Sequence, residues 1–174
     1  TMGLACETDA YDPMEHAMLE YCEENSISKG HLFAGKLLQE YSFTNELKMM
    51  GHVWYHDDEI IIAAKGSPER LLPLCALTDE AAAEAEARMD EMSRHGLRVI
   101  AVARLRLADE SEIPSNIMDC TFELMGLVGL ADPPRESVKA DIAACLKAGV
   151  RVVMITGDNG VTAGSIASQV GIPN

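Results

Sequence analysis

Two short stretches bring together residue types that could do chemistry. In VRVVMITGDN (150–159) an apolar run ends abruptly in Thr156, Gly157 and Asp158. A hydroxyl and backbone N–H groups can hold phosphate oxygens, glycine permits close approach, and a carboxylate supplies the charge that magnesium needs. The same residues also suit a plain turn chosen for backbone reasons. In IIIAAKGSPERLL (60–72) an apolar run delivers Lys65 to its end, Gly66 lets the chain turn, and Ser67 can cap. Pro68 then opens a short helix whose free N–H groups point back toward the lysine. A cation beside a helix N-terminus forms an anion pocket, whereas a lysine reaching from a strand end into water is the plainer alternative.

Other candidates are weaker. GHLFAGK (30–36) fits G-x-x-x-x-G-K, but Leu37 stands where a phosphate loop needs Ser or Thr, and CEENSISK before it is no buried strand. His52, Trp54 and His56 share one strand face by period 2, which two histidines without a third ligand occupy as a solvated face. Asp57-Asp58-Glu59 reads as a hairpin turn. Asp12, Pro13 and Glu15 read as a capping box with proline at the first helical position.

These residues need a frame. A helix is expected over 11–22, with Met14, Ala17, Met18, Tyr21 and Cys22 as its apolar stripe, and a second, Ala/Glu-rich helix over 78–96 that stops at Gly96. Strands are expected at about 40–48, 52–56, 60–65 and 98–105, which makes an antiparallel sheet with flanking helices, an α+β fold. The polar stretch 107–120, with Pro114, reads as a loop or linker. Beyond it the pattern becomes strand 122–131, helix 132–149 with Val138, Ile142, Cys145 and Leu146 on one face, strand 150–155, and helix 161–171 with Val161, Ile166 and Val170 available for burial. That is the β-α-β-α unit of a parallel sheet, which places ligands at the carboxyl ends of its strands.

Composition agrees with two unequal pieces. The chain has 174 residues, 48% of them apolar, and a formal charge of −14. Residues 1–120 carry a net −13 and 121–174 a net −1, so the boundary is placed near Thr121, giving pieces 1–121 and 122–174. The charge argues against nucleic acid and anionic membrane surfaces as partners, though a nucleotide can bind where a few basic residues converge. No apolar run approaches the roughly 20 residues that cross a bilayer, so the chain itself is expected to be soluble. Five widely spaced cysteines without a CxxC pair suit reduced, mostly buried thiols.

Taken in order, YDPMEHAML (11–19), YSFTNELKMM (41–50), AAKGSPE (63–69), GLRVIAVA (96–103), LMGLVGLADPPR (124–135) and KAGVRVVMITGDN (147–159) resemble the cytoplasmic part of P-type cation-transporting ATPases. The calcium-pump-like type II group is the nearest match. The resemblance implies a nucleotide-binding domain followed by a partial α/β segment of the haloacid-dehalogenase-like (Rossmannoid) phosphorylation domain, with ATP and Mg2+ as cofactors of the intact pump. It implies that Phe43 stacks on adenine, that Glu15 reaches the adenine side, and that Lys48 and Lys65 lie near the nucleotide. Gly66 then keeps the pocket wall low, Ile100 lines it, and Arg98 reaches the phosphates.

By the same resemblance Asp132, Pro133, Pro134 and Arg135 form the hinge-side DPPR motif, while Thr156, Gly157 and Asp158 form the TGD motif beside the transferred phosphate. Asn45 departs from the arginine usual there, which removes one phosphate-facing cation, and Ser67 replaces the commoner alanine. The family's phosphorylated aspartate lies in DKTGT and a later magnesium segment in GDGxND; neither sequence occurs in these 174 residues. No complete metal site is therefore expected on this chain, and the chain alone should bind nucleotide without turnover. The expected partners are ATP and the rest of one polypeptide: the other half of the phosphorylation domain, an actuator domain and membrane helices. The parent would sit with this part on the cytoplasmic face of the plasma membrane. Residues 122–174 are expected to expose apolar surface, enough for two copies to pair in a crystal through that piece. A free-standing haloacid-dehalogenase-like phosphatase and a non-catalytic nucleotide-binding module remain the alternatives.

Overall fold

Runs of β-branched and apolar residues set the frame. In the computed structural model, which describes residues 1–173, they form one sheet: β1 (Lys36–Tyr41), β2 (Met49–His56), β3 (Glu59–Gly66), β4 (Arg98–Leu107) and β5 (Glu123–Leu130), in that spatial order. Pairing is antiparallel from β1 through β4. With flanking helices the architecture is α+β. The expected strand at 40–48 is corrected: β1 ends at Tyr41 and 42–48 is a loop, because Thr44 turns the chain by accepting from the Leu47 and Lys48 backbones. Asp57 and Asp58 both take positive φ, 50° and 62°, and make the two-residue turn that joins β2 to β3.

The chain divides into two compact units, residues 1–83 with 100–128, and residues 84–99 with the chain from Gly129 onward. In the first unit the sheet is covered on both faces. Met49, Val53, Ile60, Ile62, Ala64, Ala101 and Ala103 face a core closed by Leu71, Ile117, Cys120 and Phe122. The stretch 107–120 is thus packed rather than a free linker, and the Tyr41 hydroxyl donates to the Pro114 carbonyl to fasten it. Phe122 exchanges backbone hydrogen bonds of 2.8 Å with Leu74 and Ala76.

The opposite face carries His52, Trp54, His56 and Lys65. These histidines do not form a solvated face: His52 and His56 are buried, because a 3-10 turn at Gly3–Ala5 and helix α1 (Pro13–Glu24) contribute to covering this side. Trp54 Nε1 donates to the Leu4 carbonyl at 2.8 Å, and His52 Nδ1 lies 3.3 Å from the same oxygen. The stripe on α1 is also rotated from expectation. Its buried residues are Glu15, Met18, Leu19 and Cys22, while Tyr21 is exposed. The short helices α2 (Lys29–Leu32) and α3 (Pro68–Leu71) complete this unit, and α4 (Asp79–Arg94) begins in it.

The second unit holds the rest of α4, which stops at Gly96 with φ 78°, and helices α5 (Val138–Lys147) and α6 (Gly160–Val170). Thr162 and Ser165 of α6 donate to the Leu97 and Arg94 carbonyls at 3.1 and 2.9 Å, tying α6 to the end of α4. Two expectations are corrected. Residues 150–155 form no strand: the described residues make one sheet, which does not include them, so their backbone lacks a ladder partner. The first strand of the expected parallel unit, β5, is part of the antiparallel sheet instead. On α5 Val138, Ile142 and Leu146 are half-buried and Cys145 is exposed; on α6 Thr162 is buried where Val161 was expected to be.

Candidate functional site

Lys65 is set by its register. It pairs with Met50 on one side and Val102 on the other, at the end of β3, and its side chain enters the face covered by α1. There the ammonium donates to the Glu15 carboxylate and to the Ala5 carbonyl, the latter at 2.7 Å. Glu15 Oε1 also accepts from the Glu7 backbone N–H at 3.3 Å. Both charged groups are buried, so each needs the other: an isolated ion here would keep its full desolvation cost. Lys65 therefore does not snorkel into water. The capping box is only half formed as well: Asp12 accepts from Met14 N at 2.8 Å, but Glu15 turns inward to Lys65 instead of back to the cap. Cys6 lies beside this pair, and burial pushes its thiol up to about 11.

Gly66 has a steric reason rather than a torsional one. A Cβ at this position would stand 2.4 Å from Met49 Cβ and 2.7 Å from the Lys48 carbonyl oxygen, so the two strands could not approach. That approach lets Ser67 N donate to the Lys48 carbonyl at 2.8 Å. Ser67 starts α3 with its backbone alone. Its side chain makes no cap bond, and its Oγ is buried without a hydrogen-bond partner among the described residues.

The same end of the sheet gathers the other expected binding residues of this unit. Ile100 is buried on β4, on the face that Lys65 shares by alternation through Val102. The loop 42–48 ends at Lys48, whose φ is 52° and whose exposed side chain has no ion pair among the described residues. Phe43, on that loop, is 55% exposed although it is one of only three phenylalanines. An aromatic ring held in solvent, with a free lysine on the same short loop, is a surface suited to a planar anionic ligand.

The remaining expected site residues lie in the second unit. Arg98 Nη1 is 3.7 Å from Asp158 Oδ1. Thr156 Oγ1 donates to Asp158 Oδ2 and accepts from Asp158 N, both at 3.1 Å, so the TGD turn is closed on itself by its own hydroxyl. Asn159 then caps α6 through Val161 N at 2.8 Å. Asp132 and Arg135 contribute to the lining of a groove of about 520 Å³ whose apolar lining includes Val138, Ile142, Met154, Ile155, Ile166 and Val170. A Cβ at Gly157 would meet no atom within 4 Å beyond its chain neighbours.

Ala5 and Glu7 were not anticipated as part of the Lys65 arrangement. They act through a backbone carbonyl and a backbone N–H, which every residue has, so no sequence signal marks them.

Comparison with known proteins places the chain in a family. The family described as "P-type ATPase, cytoplasmic domain N" matches residues 9–137. A sodium/potassium exporting P-type ATPase of Schizosaccharomyces pombe is 34% identical over 173 residues, covering 92% of this chain and 17% of the relative. Calcium-transporting ATPase 1 of Bacillus cereus is 33% identical, covering 95% of this chain and 20% of the relative. A calcium-transporting ATPase of endoplasmic-reticulum type from Arabidopsis thaliana is 32% identical, covering 90% and 16%. The chain thus spans a fifth or less of the length of these relatives. Among the described residues no helix is long and apolar enough to cross a membrane. The chain belongs to the P-type cation ATPase family, whose cytoplasmic domain N matches residues 9–137.

Proposed function

We propose that this chain binds ATP for a P-type cation pump, as its nucleotide-binding domain over 1–121 joined to part of its phosphorylation domain over 122–174. The observation that carries the reading is the grouping at one end of the sheet: exposed Phe43, and Lys48 and the Ser67 hydroxyl beside Gly66, which have no ion pair and no hydrogen-bond partner respectively among the described residues. Phe43 is the stacking platform for adenine and Lys48 the cation for phosphate. The Lys65 ammonium is already shared between Glu15 and Ala5, so its part is to hold the Glu15 carboxylate and the pocket floor, with Ile100 as apolar lining.

In the intact pump the γ-phosphoryl group would pass to an aspartate outside these residues, with Mg2+ neutralising charge on the transferring group. Thr156, Gly157 and Asp158 would support that phosphate and ion, Arg98 would reach the phosphates, and Asp132 and Arg135 would act at the hinge side. Residues 122–174 are then read as part of a haloacid-dehalogenase-like fold. Supporting this, the groove between α5 and α6 has the apolar lining that a strand of such a sheet would cover. The parent protein would carry this part on the cytoplasmic face of its membrane.

Titration calorimetry with ATP tests the reading. Binding is expected, and Phe43→Ala should weaken it by about 5- to 150-fold, the equivalent of the ~1–3 kcal/mol of stacking one base on an aromatic ring. Lys48→Ala should weaken ATP more than adenosine. Absence of binding, or indifference to both changes, would overturn it. Magnesium-dependent phosphate release that vanishes in Asp158→Ala would instead identify a self-contained phosphatase.

A further inference from the structure

The end of the sheet opposite Lys65 holds a cluster that the nucleotide reading does not use. His31 on α2, His56 at the last position of β2 and Asp57 in the turn after it bring ligand-type atoms all within 4.8 Å of one another. The two imidazoles meet edge to face, their centroids 5.4 Å apart. His56 is buried, whereas His31 and Asp57 are open to solvent.

The hydrogen bonding of His56 fixes its tautomer. Its Nε2 lies 2.8 Å from the His31 carbonyl oxygen, which can only accept, so Nε2 carries the hydrogen. In the neutral ring that leaves the lone pair on Nδ1, and Nδ1 is 3.1 Å from Asp57 Oδ2. Two lone-pair atoms at that separation need a cation shared between them, either a proton or a metal ion. An imidazole whose second nitrogen donates to a backbone carbonyl is also the usual arrangement of a histidine ligand, since the carbonyl fixes the tautomer and the ring orientation. His56 has little freedom to move away: a Cβ on Gly35 would stand 3.0 Å from its Cβ and Cδ2, so the chain before β1 lies directly on the ring.

We propose that His31, His56 and Asp57 form a binding site for a zinc-class divalent cation. Metal–ligand bonds of about 2.0–2.2 Å in tetrahedral geometry place ligand atoms roughly 3.3 Å apart, close to the His56–Asp57 separation. His31, being exposed, closes the remaining distance by rotating its side chain. Two imidazoles and one carboxylate favour zinc over magnesium or calcium, which take oxygen ligands. Three protein ligands leave one position to water. The ion would fasten α2 to the β2–β3 hairpin, elements separated in sequence by all of β1. A second group, Glu7, Glu40 and His52, is looser: its Glu7–His52 pair stands 3.8 Å apart, and it offers one imidazole rather than two.

Zinc titration into the untagged chain tests the proposal, with thermal unfolding as a second readout. The variants His31→Gln and Asp57→Asn change exposed side chains, and asparagine accepts the positive φ of position 57. One zinc per chain is expected, each variant should weaken it by at least about tenfold, and zinc should raise the Tm of the parent chain more than that of either variant. Glu40→Gln and Cys145→Ser should bind as the parent does. Failure to bind zinc, equal binding by His31→Gln and Asp57→Asn, or loss through Glu40→Gln or Cys145→Ser would overturn the assignment. None of these outcomes depends on nucleotide binding.

Discussion

Residues 60–65 and 150–155, IIIAAK and VRVVMI, are apolar runs of equal length that meet opposite fates. The first becomes β3, hydrogen-bonded to β2 and β4, with Ile62, Ala63 and Ala64 fully buried. The second has no strand beside it among the described residues, and Val150, Val153 and Ile155 are 54%, 65% and 95% exposed. Hydrophobicity alone therefore does not make a strand. The backbone must also find partners, and a run that finds none keeps its apolar side chains in water at a cost of about 25 cal/mol per Å² left unburied. The same contrast separates the two units: one has a core closed on both sheet faces, while in the other α5 buries no residue fully.

The contrast can be broken by substitution. Phe122→Ala, in the core of the first unit, should cost about 3–5 kcal/mol in urea unfolding, whereas Ile155→Ala should stay within roughly 0.5 kcal/mol. Comparable losses at both positions would mean that 150–155 is packed after all. Glu15→Ala should follow at about 3 kcal/mol, because it leaves Lys65 charged in a buried place; Glu15→Leu with Lys65→Met together should recover most of that. If the double variant is no better than the single, the pair is not a mutual requirement.

Thiol chemistry gives the smallest and most local comparison. Burial pushes Cys75 and Cys120, like Cys6, from 9.0 up to about 11, while Cys145 in the second unit is exposed. Labelling at pH 8 should modify Cys145 first and spare the first unit until it unfolds. The folded state holds the thiol protons more tightly than the unfolded chain. Their stabilising contribution is complete below pH 9 and is lost as pH rises toward 11, which a pH series of unfolding midpoints would register.

What the sequence revealed was local. Asp12 and Pro13 marked the start of α1, Asp57-Asp58 the hairpin and Gly96 the end of α4, since each acts on its own backbone. Lys65 and Gly66 were found by position, but their surroundings were not. Glu15 satisfies a capping-box pattern and a buried ion pair equally well in sequence, and only the fold brings Lys65 within reach. The burial of His52 and His56 likewise depends on residues far along the chain, and strand alternation carries no label for which face will be covered. The expected strand 40–48 runs past the true end of β1 because nothing short-range in 42–48 marks the stop; the Thr44 turn and the positive φ at Lys48 set it.

The Leu4 carbonyl has a consequence beyond packing. Residues 4, 5 and 7 are tied to the sheet face and α1 by bonds from Trp54 to Leu4, from Lys65 to Ala5, and from Glu7 to Glu15. Trp54 is the chain's single tryptophan, so its indole emission reports one joint of that strap without any added label. Any ligand that draws Lys65 or Glu15 away must loosen a segment whose neighbouring bond ends on that indole. The protein thus carries an optical gauge wired to its own candidate pocket.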